Sequence, residues 1–403
     1  MPDWAKLRSE ILETFTPGPP INELALFAGR REVIQRLQDT TIERARHAII
    51  FGERGVGKTS LANIFHKGLN TPTRSVTEIY VTADTKDSFD SLWRKVFRRM
   101  SRPGSATSLD LEYTGEIEPD NVILELGKFN LNTLPIIIID EYDRIEDDDC
   151  RVLMTDVIKG LANVRNNPTI ILVGVAENIL TLMGDHASIT RNIVQVPMDR
   201  MSPDEIDQVI ISRVNRLRMK ITSDAVWRIA HFSAGLPFYA HSLGKYSALK
   251  AVEGQTIQIT EDTVTDAIDS CMADVDYSIT ESYTRATENI YRKKNIFKEV
   301  LAACALADLN ALGQFTAASV EAPLSDILGT PAKVPQFAFH MNEMCTPERG
   351  NVFRKTGERR TFQYHFVEAA MQPYVIMKSL KDNVITQATF ERFYVTRQRS
   401  LAI

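Results

Sequence analysis

The chain has 403 residues, which is enough for two or three domains. Its 44% hydrophobic and 25% charged content is ordinary for a globular protein. The net charge of −5 argues against a generally basic coat for nucleic acid, although a local basic patch stays compatible with it.

The first half of the chain divides into a short polar segment and a long alternating region. Residues 1–20 are polar and end in Pro17-Gly18-Pro19-Pro20, which marks a boundary. From about 21 to 200, apolar runs alternate with helical patterns, and this alternation predicts an α/β fold with a parallel five-stranded sheet buried on both faces. The five predicted strands are 47–51, 78–82, 135–139, 169–174 and 193–196.

The rest of the chain is predicted to be mainly helical. No clear strand signal follows Pro197 for about 140 residues, and helical spacing predicts a small helical domain over 201–282. Residues 283–384 begin helical, continue through an apolar helix over 335–344, and end in a hairpin over 349–366. Helices followed by a two-stranded hairpin indicate a winged helix-turn-helix, and 385–403 remain as a C-terminal tail.

A glycine-rich segment follows the first predicted strand and precedes a helical stretch. It reads Gly52-Glu53-Arg54-Gly55-Val56-Gly57-Lys58-Thr59-Ser60. This is the strand–loop–helix context of a phosphate-binding P-loop, in which backbone N–H groups and the helix N-terminus hold phosphates. Lys58 would reach the β- and γ-phosphates of ATP, and the Thr59 hydroxyl would ligate Mg²⁺. The lysine, the hydroxyl and the context disfavour a plain glycine-rich turn.

Two adjacent carboxylates end the third predicted strand. Asp140 and Glu141 follow four isoleucines, at the strand end where open α/β sheets bind ligands. Asp140 would hold Mg²⁺, and Glu141 would polarise the water that attacks the γ-phosphate. A surface turn is the alternative, since acidic residues continue at 146–149, but the P-loop favours the site. The pair indicates an ATPase rather than a kinase, and no NKxD guanine signature is visible.

The four cysteines and the apolar runs indicate in which cellular compartment to expect the protein. The cysteines are far apart and form no CxxC pair, which predicts reduced thiols and no zinc site. The first residues contain no secretory apolar stretch, and the central apolar run 134–139 is too short for a bilayer. We therefore expect a cytoplasmic protein without a membrane partner.

Because it has the P-loop and the strand that ends in Asp140-Glu141, the chain over about 21–380 resembles the AAA+ ATPases. Within them it resembles the branch of the origin-recognition initiators and the related STAND signalling ATPases. The resemblance implies that Ile21 and Phe27, in the segment before the core, contact adenine. Packing of this segment on the core alone is an equal alternative.

The resemblance also implies three further site residues. After the fourth strand, a polar residue would sense the γ-phosphate; Glu177 stands at the aligned position, but we favour Asn178, because an amide donates to phosphate oxygen. Arg191 would act as an arginine finger on a neighbouring subunit of a homo-oligomer, or else cap a helix on the surface. Pro237, in a Gly-x-Pro motif, would shape the approach of the helical domain to the nucleotide, and no sensor-2 arginine is evident there.

These inferences predict an ATP- and Mg²⁺-dependent AAA+ switch that hydrolyses ATP and oligomerises. It would regulate a protein effector or a DNA transaction, in mobile-element or anti-phage biology by family analogy alone. The predicted hairpin 349–366 is the candidate DNA contact, through Arg349, Arg354, Lys355, Arg359 and Arg360. The alternative is an ATP-bound scaffold or STAND-like signalling module with negligible turnover and no DNA binding.

Overall fold

The computed structural model describes seven stretches of the chain, and their contacts form two compact units. The described residues are 2–18, 30–102, 106–175, 191–288, 295–310, 313–358 and 361–395. Residues 20–53 and 57–198 make up one unit, which we call the sheet unit. Residues 1–19, 54–56 and 199–403 make up the other, which we call the helical unit.

The sheet unit is built on five parallel strands in the order β2-β3-β4-β1-β5. They are β1 His47–Phe51, β2 Ser75–Thr82, β3 Thr133–Asp140, β4 Thr169–Gly174 and β5 Ile193–Pro197. Its described helices are Arg31–Ile42, Lys58–Ile64, Phe89–Phe97, Pro119–Leu126 and Asp148–Leu161. The predicted α/β fold and its five strands are thus confirmed, with β2 and β3 starting two or three residues earlier.

The centre of the sheet unit is buried on both faces of the sheet. The isoleucines of β3, at 136–139, are all fully buried. The helix Phe89–Phe97 starts at a Ser88 capping box and buries Trp93 completely in the same core. Burial on both faces explains why β3 is a continuous apolar run, and it leaves the polar groups to the ends of the strands.

The helical unit contains the predicted helices and some strands that were not predicted. The described helices of 199–395 are Pro203–Arg216, Ser223–Phe232, Pro237–Glu253, Glu261–Ala273, Tyr277–Thr287, Phe297–Ala305, Ala317–Leu328, Val334–Glu343, Met371–Lys381 and Gln387–Phe390. The strands β6 Lys220–Ile221 and β7 Gln258–Ile259 pair in parallel, and β8 is Phe315–Thr316. The expectation of no strand in this region is therefore wrong. Two-residue strands are too short to produce an alternating pattern.

The N-terminal segment forms a helix of the helical unit that the sequence analysis did not predict. It spans Trp4–Thr14 and begins at an Asp3 cap. Leu7, Ile11 and Phe15 are buried. A Cβ added at Gly244 would lie 2.4 Å from the Cε1 atom of Phe15, so the ring occupies the space that a side chain at 244 would need. The small residue at 244 thus lets this segment pack against the helix Pro237–Glu253.

The end of the helical unit combines helices with a small antiparallel sheet. Strands β9 Phe353–Thr356 and β10 Gln363–Phe366 form the hairpin, and β8 joins them in the antiparallel order β8-β10-β9. The helix Val334–Glu343 precedes the hairpin, as predicted, and buries Phe337 and Met341. In the described part of the chain, none of the helices has the length and apolar character that a bilayer span needs.

Candidate nucleotide site

The P-loop joins β1 to the helix Lys58–Ile64 through a turn that requires glycine. Gly57 has a φ of 97° and occupies the N-cap of the helix. A Cβ on Gly52 would lie 2.2 Å from the carbonyl oxygen of Met198, so no side chain fits there. The backbone can therefore curl tightly at the carboxyl end of β1, which is what a phosphate cradle needs.

Lys58 is folded back onto this loop. Its side chain is buried, and its Nζ atom donates to the carbonyl oxygens of Gly52, at 3.0 Å, and of Glu53, at 2.7 Å. An ammonium group at a helix N-terminus, facing a loop of backbone amides, is chemically complementary to a phosphate. The loop, the helix and the lysine are thus brought together as the sequence predicts.

The Asp140 carboxylate lies beside the P-loop and is nearly fully buried. Its Oδ2 atom accepts a hydrogen bond from the Thr59 hydroxyl at 2.8 Å. Its Oδ1 atom accepts from the backbone N–H of Glu141 at 2.8 Å. The two residues predicted to hold Mg²⁺ are therefore in direct contact, although 81 positions separate them in the chain.

Tyr80 is a neighbour of Asp140 that the sequence analysis missed. Its phenol donates to Asp140 Oδ2, the oxygen that also accepts from Thr59. Burial, together with the bond to the carboxylate, raises the pKa of Tyr80, so the phenol stays protonated and is a donor at neutral pH. The available signal was the position of Tyr80 near the carboxyl end of β2, the strand beside β3.

Glu141 follows Asp140 in a left-handed backbone conformation, with a φ of 55°. This conformation is uncommon for a residue other than glycine, and such residues cluster at functional sites. The Glu141 side chain is about half exposed, and its Oε2 atom accepts from Arg144 Nη1 at 2.7 Å. The carboxylate is thus held by an arginine on the solvent side of the site.

The donor set fits Mg²⁺ bound together with nucleotide phosphates. Thr59 offers a hydroxyl and Asp140 a carboxylate, which are the hard oxygen ligands that Mg²⁺ prefers. No group of three or more His, Cys, Asp or Glu side chains in the described stretches has a metal-binding arrangement. A magnesium ion held by one or two protein oxygens, with phosphates and water completing its shell, agrees with this finding.

Arg191 lies at the amino ends of the parallel strands, whereas Asp140 lies at their carboxyl ends. It precedes β5, whose first residue pairs with His47 at the start of β1, whereas the P-loop follows the end of β1. The Arg191 side chain is exposed, and its carbonyl oxygen accepts from Arg46 Nη1 at 2.8 Å. A strand of this length spans roughly 16 Å, so Arg191 does not reach the P-loop of its own subunit.

The other predicted contacts are only partly described. Ile21 and Phe27, and both Glu177 and Asn178, lie outside the described residues. Pro237 begins the helix Pro237–Glu253 of the helical unit, and its proposed effect on the nucleotide stays a prediction.

The residues around Pro237 have structural partners in the helical unit. A Cβ on Gly235 would lie 2.6 Å from the carbonyl oxygen of Met201, so close packing requires this glycine. His241 is buried, and its Nδ1 atom accepts from the backbone N–H of Thr16 at 3.2 Å. Burial lowers the pKa of His241 to about 3, so it is a neutral structural histidine.

Within the described residues, one of the three cations proposed to contact DNA from the predicted hairpin is buried. Arg349 is buried in the turn before it, where Nη1 donates to the carbonyl oxygen of Glu288 at 2.7 Å and the guanidinium lies 4.0 Å from the Phe297 ring centre. The assignment of Arg349 to a phosphate contact is therefore wrong. Lys355 Nζ donates to Asn342 Oδ1 at 2.9 Å, and Arg354 is exposed. Arg359 and Arg360 lie outside the described residues.

Besides the hairpin, the chain has a cluster of basic residues at 94–102, and most of them pair with acidic residues of the sheet unit. Arg98 pairs with Asp110 at 3.2 Å, and Arg102 pairs with Glu112 at 2.6 Å and Glu125 at 3.2 Å. The acidic stretch that follows the cluster in sequence thus supplies its counter-charges. This arrangement favours a structural role over contact with nucleic acid.

Comparison with known proteins identifies the domain and the fold. The AAA domain family matches residues 40–183, which span the P-loop and the Asp140-Glu141 strand. No curated protein matches the chain. The ORC2 protein of Aeropyrum pernix, solved as ADPNP-ADP complexes, is 15% identical, with a TM-score of 0.52 over 93% of this chain and 98% of that one.

Two further solved structures are similar over comparable lengths. Aeropyrum pernix ORC1, solved in complex with DNA, is 13% identical with a TM-score of 0.49, and 97% of each chain is covered. A Thermotoga maritima RuvB mutant is 16% identical with a TM-score of 0.45, covering 87% of this chain and 96% of that one. The AAA domain match and the ORC2 structure confirm the resemblance for domain and fold: this chain carries an AAA domain and has the α/β P-loop fold of the AAA+ ATPases, similar to that of the ORC2 protein.

Proposed function

We propose that the protein binds ATP with Mg²⁺ and hydrolyses it, and that nucleotide turnover switches its interaction with a partner. The observation that carries this proposal is the 2.8 Å hydrogen bond between Thr59 and Asp140. It joins the metal-binding residue of the P-loop to the metal-binding carboxylate of β3. A glycine-rich turn without a nucleotide function has no need for this contact.

Each P-loop group then has a separate task. The backbone amides of the loop and the helix N-terminus hold the phosphate oxygens, and Lys58 exchanges its bonds to Gly52 and Glu53 for bonds to phosphate. Thr59 and Asp140 would hold Mg²⁺, which would neutralise charge on the phosphates. Since Lys58 is already placed at the loop, it can bind phosphate by exchanging these two hydrogen bonds.

Glu141 is proposed to orient and polarise the attacking water. For this task its carboxylate must leave Arg144. Both partners of that ion pair are about half exposed, and such pairs are worth only about 0–1 kcal/mol. The pair is therefore a small barrier, and its release is compatible with turnover.

Arg191 is proposed to act on the nucleotide of a neighbouring subunit. Its position at the amino ends of the strands excludes its own P-loop as a target, while its side chain is exposed and available to another copy. This arrangement makes self-association part of the proposed cycle. Mixing Arg191→Ala subunits with Glu141→Gln subunits tests it: turnover above that of either parent supports action in trans, provided that mixed oligomers are verified by mass.

A protein effector is the favoured partner, ahead of DNA. Arg349 is buried, and the helix Val334–Glu343 exposes the apolar Phe339. Its exposed amides, Gln336 and Asn342, already accept hydrogen bonds from Lys333 and Lys355 of the same chain, so they are partly occupied as base-reading groups. Salt-dependent DNA affinity that is lost on Arg354→Glu would overturn this preference.

The central test compares Glu141→Gln with Glu146→Gln. Both substitutions remove one exposed carboxylate from the same acidic stretch, and only Glu141 adjoins Asp140. We expect Glu141→Gln to bind ATP like the wild type and to lose about 10²–10⁴-fold in turnover, while Glu146→Gln keeps both. Equal turnover in all three proteins would remove Glu141 from its assigned role.

The second candidate is an ATP-binding scaffold with negligible turnover. The contact between Glu141 and Arg144 favours it, because a carboxylate paired with an arginine is a weaker base for a water beside the phosphates. In this case wild-type protein binds ATP with Mg²⁺ but shows no turnover above that of Glu141→Gln. The Arg144→Ala substitution, which frees the Glu141 carboxylate, then raises the rate of turnover.

A further inference from the structure

Three elements of the sheet unit converge on the carboxylate of Asp140. The helix Lys58–Ile64 contributes the Thr59 hydroxyl, and the turn after β3 contributes the Glu141 N–H. The third donor is the Tyr80 phenol from β2. Tyr80 pairs with Ile138, two positions before Asp140 in the register, so its ring reaches diagonally along the sheet to the end of β3.

The hydrogen bond from Tyr80 to Asp140 matters because the end of an aspartate side chain is poorly constrained by itself. The torsion that turns its carboxylate is broad, so hydrogen bonds decide where the two oxygens point. Glu141 holds Oδ1 through the backbone, whereas Oδ2 is held by Thr59 and Tyr80. Thr59 is itself a proposed metal ligand, which leaves Tyr80 as the donor to Oδ2 that lies outside the P-loop.

We infer that Tyr80 is a positioning residue that sets the orientation of the Asp140 carboxylate for Mg²⁺-nucleotide binding. This inference rests on the proposed function and adds a residue that acts through Asp140 rather than on nucleotide. Groups that hydrogen-bond a metal ligand orient it, and their loss typically costs about 10–100-fold in metal affinity or activity. A purely structural phenol would affect folding stability and leave the coupling between Mg²⁺ and nucleotide unchanged.

The test uses Tyr80→Phe, which removes the hydroxyl and keeps the ring. Calorimetric titration of ADP, with Mg²⁺ and again with EDTA, gives the factor by which Mg²⁺ tightens nucleotide binding. We expect this factor to fall about tenfold in Tyr80→Phe, while the affinity in EDTA stays at the wild-type value.

Tyr113→Phe is the matched control. Tyr113 is also a partly buried tyrosine of the sheet unit whose phenol donates to a carboxylate, Glu125 Oε1, at 2.8 Å. It lies outside the P-loop, so its loss should leave the Mg²⁺ factor unchanged. A thermal melt of each variant separates a folding defect from a binding effect.

A double-mutant cycle with Asp140→Asn completes the experiment. If Tyr80 acts through Asp140, Tyr80→Phe has no further effect on the Mg²⁺ factor in that background. A wild type that binds no nucleotide would overturn both the proposed function and the role of Tyr80. A wild type with a clear Mg²⁺ factor that Tyr80→Phe retains or increases would overturn the role of Tyr80 alone.

Discussion

His47 makes the stability of the sheet unit dependent on pH. It is the first residue of β1, is 1% exposed, and accepts a hydrogen bond at Nδ1 from the backbone N–H of Ile170 at 3.0 Å. Burial lowers the pKa of this imidazole from 6.5 to about 4. The folded protein therefore holds His47 neutral at pH values where the unfolded chain binds a proton.

The sign and size of the effect follow from linkage. Between pH 6.5 and 4 the unfolded state binds more protons than the folded state, so the free energy of unfolding falls as the pH falls. A shift of this size corresponds to about 3 kcal/mol in total, of which about 2 kcal/mol is lost between pH 7 and pH 5. Carboxylates with lowered pKa, such as Asp90 and Glu125, lose their contribution at lower pH, so this window reports mainly histidine.

Urea unfolding at pH 7 and pH 5, followed by the fluorescence of Trp93, measures this loss. Trp93 is fully buried in the sheet unit, and replacing Trp4 and Trp227 with Phe leaves it as the only tryptophan of three. His47→Asn keeps an acceptor near Nδ1 without titrating there. We expect it to be less stable at pH 7 but to lose about 2 kcal/mol less than the parent on going to pH 5.

His241→Asn is the matched control for this experiment. His241 is also a buried histidine whose Nδ1 atom accepts a backbone N–H, but it belongs to the helical unit. Burial lowers the pKa of His241 as well, so its replacement leaves the pH dependence of the Trp93 transition unchanged where the sheet unit unfolds separately from the helical unit, and reduces that dependence where the two unfold together. Equal losses between pH 7 and pH 5 in the parent and in His47→Asn would refute the reasoning.

Three further substitutions test packing that the structure makes specific. Gly52→Ala should destabilise the protein by about 2–5 kcal/mol and abolish ATP binding, because a Cβ there meets both a positive φ and the Met198 carbonyl oxygen. Gly55→Ala, with open space around its Cβ, should cost only about 1–2 kcal/mol of backbone strain, and equal urea midpoints for the two variants would contradict the clash at Gly52. Phe15→Ala should lower the free energy of unfolding in urea by about 3–5 kcal/mol, because Phe15 is buried. The half-exposed Leu12 is the control, and Leu12→Ala should lower it by less than about 0.5 kcal/mol. A small effect of Phe15→Ala would mean that the N-terminal helix contributes little to stability. Arg349→Met should lower the melting temperature of the helical unit through the loss of its bond to the Glu288 carbonyl oxygen, and a change in DNA affinity with normal stability would restore Arg349 as a surface residue.

Local patterns were enough to predict the sheet unit. The P-loop spacing, the four isoleucines before Asp140 and the alternation of strands and helices all depend on neighbours within a few residues, so the sequence carries them directly. The same holds for the helix 334–343 and the hairpin after it. The two-residue strands β6, β7 and β8 escaped prediction because they contain too few residues to show a period.

By itself, therefore, the sequence determined that this protein has a parallel P-loop sheet, helices after it, and the residue types of an ATP- and Mg²⁺-binding site. Only the tertiary structure decided that Tyr80 holds Asp140, that Phe15 packs against Gly244, and that Arg349 is buried rather than presented to a partner. The physical reason is that these contacts join residues 60 or more positions apart, and their energies depend on burial and on the approach of separate elements. The residues next to each position in the sequence determine neither its burial nor which distant element packs against it.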